Sequence, residues 1–138
     1  MTFNPDDPRE HDIEKPWVSS KELEANTPVK LTVLDVTPMN DEDTSFFMNC
    51  MIHDGELKGK TTRIYWWRNK KSGQPRNDFT ALVKALLPDR HRNSLTIHSF
   101  HFKDKCFVTT PKDFGNDDGS SMRIFIKVRE IELDVRGE

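Results

Sequence analysis

Cysteine is scarce: the 138-residue chain holds only Cys50 and Cys106, 56 positions apart and each inside an apolar run. Free thiols in such runs pack as small hydrophobes, which argues against a disulfide scaffold. Long hydrophobic runs are missing as well. No stretch approaches the about 18 apolar residues of a spanning helix, and the opening Met-Thr-Phe-Asn-Pro-Asp-Asp has neither a basic flank nor an apolar stretch. These absences predict a cytoplasmic protein rather than a membrane-embedded or exported one. Internal repeats, a phosphate-cradling Gly-x-x-x-x-Gly-Lys-Ser/Thr loop, a Gly-x-Gly-x-x-Gly turn and a Gly-x-Ser-x-Gly elbow are all lacking. The motif content therefore gives catalysis little support.

What is present is an uneven charge distribution. The net charge is only −2, but residues 1–27 carry seven acidic groups against three basic ones, a net of −4. Residues 58–92 hold ten Lys and Arg against Asp78 and Asp89, a net of +8. A charge run alone is most simply a solvated face, so the aromatic pattern has to decide what the block does.

Residues 1–26 combine Pro5, Pro8 and Pro16 with acidic side chains and little apolar periodicity, which predicts an acidic, disordered N-terminal arm whose only adhesive spot is Trp17-Val18. Residues 27–138 form the expected domain. Val29, Leu31 and Val33 alternate and then Leu34 and Val36 change parity, as in a bulged strand. Phe46 to His53 reads as a second strand, apolar on both faces. The turn Asp54-Gly55-Glu56-Leu57-Lys58-Gly59-Lys60 leads into a third at Thr61–Arg68, so these two should form a hairpin. Lys70 to Pro75 breaks the sheet. Asn77 or Asp78 then caps a helix whose Phe79, Leu82, Val83 and Leu86 fall on one face, with Pro88 as its stop. Leu95–Phe102 has no clear period. Lys105–Thr109 is a short strand, Pro111–Ser121 a loop, and a long last strand follows. Three strands, one helix and two strands make an all-β domain with one helix, the element order of a five-stranded Greek-key OB-fold barrel with its helix between strands three and four. An α+β sheet with one helix is the structural alternative; an SH3-like barrel would lack the mid-chain helix.

In the third strand, period-2 alternation puts Ile64 and Trp66 on one face and Arg63, Tyr65 and Trp67 on the other. The last strand reads the same way, with Phe125 flanked by Arg123 and Lys127 opposite Ile124, Ile126 and Val128. Rings spaced along a sheet stack on unpaired bases, while interleaved cations neutralise phosphates; neither depends on base sequence. The pattern points to Tyr65, Trp67 and Phe125 as stacking residues, and to Lys58, Lys60, Arg63, Arg123 and Lys127 as phosphate contacts. Arg68, Lys70 and Lys71 extend the track. Phe47, on the second strand's alternate face, and Phe114, in the long loop, are further candidates, and Trp66 belongs to the core. The simpler alternative is that these rings fill or rim a small barrel.

The Asp54–Lys60 turn before a strand, the helix ending Leu86-Leu87-Pro88, and Lys103-Asp104-Lys105-Cys106-Phe107-Val108 before a loop together resemble the layout of phage-type single-stranded-DNA-binding proteins with an OB-fold. The resemblance spans residues 28–134. It implies a non-enzymatic accessory protein of replication or recombination that coats single-stranded DNA in the host-cell cytoplasm, needs no cofactor, and sometimes oligomerises. Such proteins often end in an acidic tail that recruits partners; here the acidic stretch is N-terminal, which predicts that residues 1–26 compete with nucleic acid or recruit a protein partner. A protein-binding module with an aromatic hot spot and a single-stranded RNA binder are the alternatives. Glu56-Leu57-Lys58 matches half of a metal-dependent nuclease motif but lies in a Gly-flanked turn, and His98-x-x-His101 with Cys106 lacks the paired thiols of a zinc site.

Overall fold

A computed structural model describes residues 17–115 and 119–132; residues 1–16, and with them most of the expected arm, lie outside the described residues. Six strands form one sheet: β1 (Trp17–Ser19), β2 (Val29–Pro38), β3 (Ser45–Ile52), β4 (Thr61–Trp67), β5 (Cys106–Gly115) and β6 (Ser121–Glu130). Their spatial order is β1-β4-β3-β2-β5-β6. The structure is mostly β, and the sheet curls into a half-barrel around its apolar face. Helix α1 (Asn77–Leu86) and the short α2 (Pro88–Arg92) connect β4 to β5. Among the described residues no helix is long and apolar enough to cross a membrane.

The parity change after Val33 is a bulge. Val33 pairs with Cys50 and Asp35 with Asn49, which leaves Leu34 as the extra residue. This keeps Leu31 and Val33 inside while turning Asp35 outward. β3 and β4 form the expected antiparallel hairpin, with Gly55 and Gly59 at positive φ in the intervening turn. Inside the curl, Leu31, Val33, Phe46, Met48, Ile64 and Trp66 pack with Leu82 and Leu86 of α1. Phe46, Phe79 and Phe102 meet with ring centroids 5.7–6.3 Å apart, joining the start of β3 to α1 and to the 3-10 turn at Ser99–Phe102. Aromatic pairs in this range add about 0.5–1.5 kcal/mol beyond their area burial.

Several expectations need correction. Residues 17–23 are not part of an arm: β1 pairs in parallel with β4, and Leu23 is buried in the core. A capping box explains the order that follows β1, since the Ser19 side chain and Glu22 satisfy each other's backbone N–H groups around the Ser20–Glu22 3-10 turn. Pro111 to Gly115 are strand rather than loop. Beyond Thr109 β5 has no β2 partner, and such an edge tolerates a proline. Residues 69–75 form a small finger instead of a plain break, closed by the Asn69–Pro75 bridge. Neither Asn77 nor Asp78 occupies the N-cap position, which falls to Arg76. Pro88 ends α1 and also starts α2, where its missing N–H costs nothing.

Candidate nucleic-acid interface

The outer face of β3 and β4 is built by alternation. With Ile64 and Trp66 committed to the interior, Arg63, Tyr65 and Trp67 must point outward, and cross-strand pairing sets Phe47 opposite Tyr65 and Asn49 opposite Arg63. Parallel pairing of β1 brings Trp17 to the same flank. Trp17 and Tyr65 are each 47% exposed and Trp67 42%. Large rings left this open on a small β-rich chain are unusual enough to mark an interaction face.

These side chains form one continuous row. The Arg63 guanidinium lies 4.0 Å from the Phe47 ring centroid and 6.0 Å from that of Trp17. Phe47 and Tyr65 are 5.8 Å apart, Tyr65 and Trp67 stack at 6.2 Å, and the Arg76 guanidinium sits 5.8 Å from Trp67. The resulting order is Trp17, Arg63, Phe47, Tyr65, Trp67, Arg76. Each cation–ring contact at an exposed site contributes about 0.5–1 kcal/mol and holds the ring in place.

Both cations are further anchored. The Arg63 Nε donates to Asn49 Oδ1 at 3.0 Å, and Asn49 Nδ2 donates to Asp35 Oδ1 at 2.6 Å. Arg76 makes a two-bond pair with Asp78, at 3.1 and 2.8 Å. Lysines continue the positive potential past both ends of the row. Lys58 and Lys60 lie on the turn before Thr61, and Lys70 and Lys71 stand exposed on the finger beyond Trp67, where Lys70 and Gln74 close the turn by a 2.7 Å backbone bond.

The other expected residues are placed differently. Phe125 is not an exposed stacking ring: it is only 4% exposed, and its ring meets Trp66 across the interior at 6.3 Å. It pairs with the buried Pro111, so this face of β6 is the one turned inward. Arg123 follows it. Its side chain, 9% exposed, bonds Asp113 at 2.8 Å and donates to the carbonyls of Ser20 and Leu23 at 3.2 and 2.5 Å. That hydrogen bond holds the Asp113 carboxyl below its ordinary value. Arg123 thus ties the chain after β1 to β6 and is not a free phosphate ligand. Arg68 is likewise engaged, paired with Asp43 at 3.1 Å and lying 5.3 Å from the Phe79 ring, while Asp43 also accepts the Ser99 N–H.

Lys127 is exposed at a bulge of β6, with φ +53°, and Phe114 is 53% exposed near the end of β5; neither joins the row. Trp17 and Arg76 are the members that sequence reasoning missed. Ser19-x-x-Glu22 directly after Trp17-Val18 was the available signal for an ordered start. Arg76 gave no signal beyond its place in the basic block.

Electrostatics separate this face from the groove of ≈ 1060 Å³ between residues 21–29 and the β3–β4 turn, where Glu22, Glu24, Asp54 and Glu56 outnumber Lys21 and the carbonyl-bound Arg123. Those carboxylates repel phosphate. Deeper in the sheet, burial and the nearby Asp35 push the Cys50 thiol far up, leaving it inert. Compared with known proteins, the chain matches no family model, no curated protein and no solved structure.

Proposed function

We propose that the chain is a non-enzymatic, sequence-tolerant binder that coats single-stranded DNA in replication or recombination, using the outer face of β3 and β4. The observation that carries the reading is the unbroken row from Trp17 to Arg76, in which the guanidinium groups of Arg63 and Arg76 flank the three successive rings of Phe47, Tyr65 and Trp67. Successive rings suit bases that are unstacked and splayed along a sheet. A duplex offers no free base faces to them.

The proposal extends to the fold. Strands β2 to β6 run in the order β4-β3-β2-β5-β6 with α1 inserted between β4 and β5, which supports a five-stranded Greek-key OB-type barrel. In that architecture the face of the second and third strands is the usual oligonucleotide platform, and those strands are β3 and β4 here. The Trp66–Phe125 contact across the interior supports the same closure.

The test is a titration followed by tryptophan fluorescence, with an oligothymidine and a duplex of equal length at two salt concentrations. Strong quenching by the single strand that salt weakens, with little response to the duplex, is the expected result. The same titration with oligouridine compares DNA with RNA. Silence toward all of them would transfer the face to a protein partner, with Tyr65 and Trp67 as its hot spot.

A further inference from the structure

Asp78 at the end of the row is taken up by Arg76, but a second carboxylate on this face, Asp35, has no task in phosphate binding. Asp35 follows the β2 bulge, is exposed, and shares a lateral row with Asn49 and Arg63, next to the Phe47–Tyr65 row. Its Oδ1 accepts from Asn49 Nδ2 at 2.6 Å, and Oδ2 has no hydrogen-bond partner among the described residues. Asn49, 7% exposed, is clamped between Asp35 and Arg63, so its amide orientation and the direction of the carboxylate are both fixed. A phosphate passing over Asp35 would be repelled. Phosphates must therefore run along the β4 flank, beside Arg63, Lys70 and Lys71, leaving the base edges to point across the sheet toward β2.

Given the single-strand reading, on which this rests, we infer that Asp35 reads the edge of a base stacked on Tyr65, and that it favours guanine. The reason is the donor pattern of the bases. Guanine presents two adjacent N–H donors, at N1 and N2, which match the two oxygens of a carboxylate. Adenine and cytosine each set one amine beside a ring-nitrogen acceptor that faces a carboxylate oxygen unfavourably. Thymine sets its single N–H between two carbonyls. Asp35 Oδ2 is free, and Oδ1 keeps a second lone pair besides the one used by Asn49. The binder is then sequence-tolerant along most of its track and selective at one position.

Competition between oligothymidine and a thymidine-thymidine-guanosine repeat of equal length tests this, because isolated guanines avoid self-association. The repeat is expected to bind about tenfold more tightly, in the range of one good two-bond base contact. Replacing guanine by hypoxanthine, which lacks the N2 amine, should remove most of that preference. Asp35→Asn keeps an oxygen for Asn49 and should lower the affinity ratio of the two oligomers to less than about twofold. Equal binding of both oligomers by the unaltered chain, or an unchanged ratio in Asp35→Asn, would overturn the role of Asp35 and leave the single-strand reading standing. Failure of both oligomers to bind would remove that reading and this one together.

Discussion

Strands β4 and β6 carry nearly the same alternation, Arg-Ile-Tyr-Trp-Trp in one and Arg-Ile-Phe-Ile-Lys in the other, and the fold uses them in opposite ways. β4 shows Arg63, Tyr65 and Trp67 to solvent and hides Ile64 and Trp66. β6 hides Phe125, draws Arg123 inward and leaves Ile124 and Ile126 half-buried. Neighbours decide the outcome. β4 lies beside β3, whose Phe46 and Met48 already fix the inner face, so its basic face can only be the outer one. Among the described residues β6 pairs with no strand but β5, where Pro111 turns inward opposite Phe125; it also packs against α1, and Phe125 meets Trp66 across the curl. Alternation defines two faces; packing partners select the one that is buried.

The sharpest way to break this comparison is to truncate one ring on each strand. Phe125→Ala should cost about 3–5 kcal/mol of unfolding free energy in urea, as expected for an aromatic removed from a core. Trp67→Ala should cost less, about 1–2.5 kcal/mol, since it gives up its contacts with Tyr65 and Arg76. Equal losses would mean that the two strands share one kind of environment. The arginines give the next largest contrast. Arg123→Leu strips a hydrogen-bonded cation from the carbonyls of Ser20 and Leu23, for a loss of about 1.5–3 kcal/mol, and should leave the salt dependence of DNA binding unchanged. Arg63→Leu should differ in its effect on binding, flattening the slope of log affinity against log salt by about 0.7. A flattened slope in Arg123→Leu would return that residue to the phosphate track.

Much of the fold was legible because its signals are local. The bulge after Val33, the β3–β4 hairpin and the apolar stripe of α1 all follow from spacings within about ten residues. The outer face of β4 was legible too, because alternation set Ile64 and Trp66 apart from Arg63, Tyr65 and Trp67. What the sequence hid depends on distant partners. Nothing near Phe125 announces Pro111 or Trp66, nothing near Arg123 announces the carbonyls of Ser20 and Leu23, and nothing near Arg68 announces Asp43. The three prolines before Trp17 suggested an arm continuing to residue 26, whereas parallel pairing with β4 is a long-range event. Composition cannot foresee such pairing.

On the β4 side, the rings are expected to act on binding as well as on stability. Tyr65→Ala and Trp67→Ala should each weaken oligothymidine binding by about 1–3 kcal/mol, with an almost unchanged salt slope, because stacking releases no counterions. Trp17→Ala should behave in the same way if the row works as one surface. An affinity unaffected by Trp17→Ala would confine the platform to the hairpin and demote β1 to a structural strand.

The smallest contrast lies in acid. The Arg123 guanidinium receives a carboxylate from Asp113, whereas Arg63 is held through the neutral amide of Asn49. The Asp113 carboxyl is lowered chiefly by the hydrogen bond from Arg123; slight desolvation opposes this, and the charges of Arg123 and Lys21 add to it. A carboxyl depressed in the folded state binds protons more weakly there than in the unfolded chain. Its stabilisation is complete above the ordinary value of 3.8 and disappears as pH falls below it through the folded value. Melting curves of the native chain and of Asp113→Asn should therefore differ by a constant amount at neutral pH and converge below pH 3.8. Because Asp113 is exposed, the gap will be small. A gap that persists unchanged into that acid range would show that Asp113 holds β5 to β6 by its shape rather than by its charge.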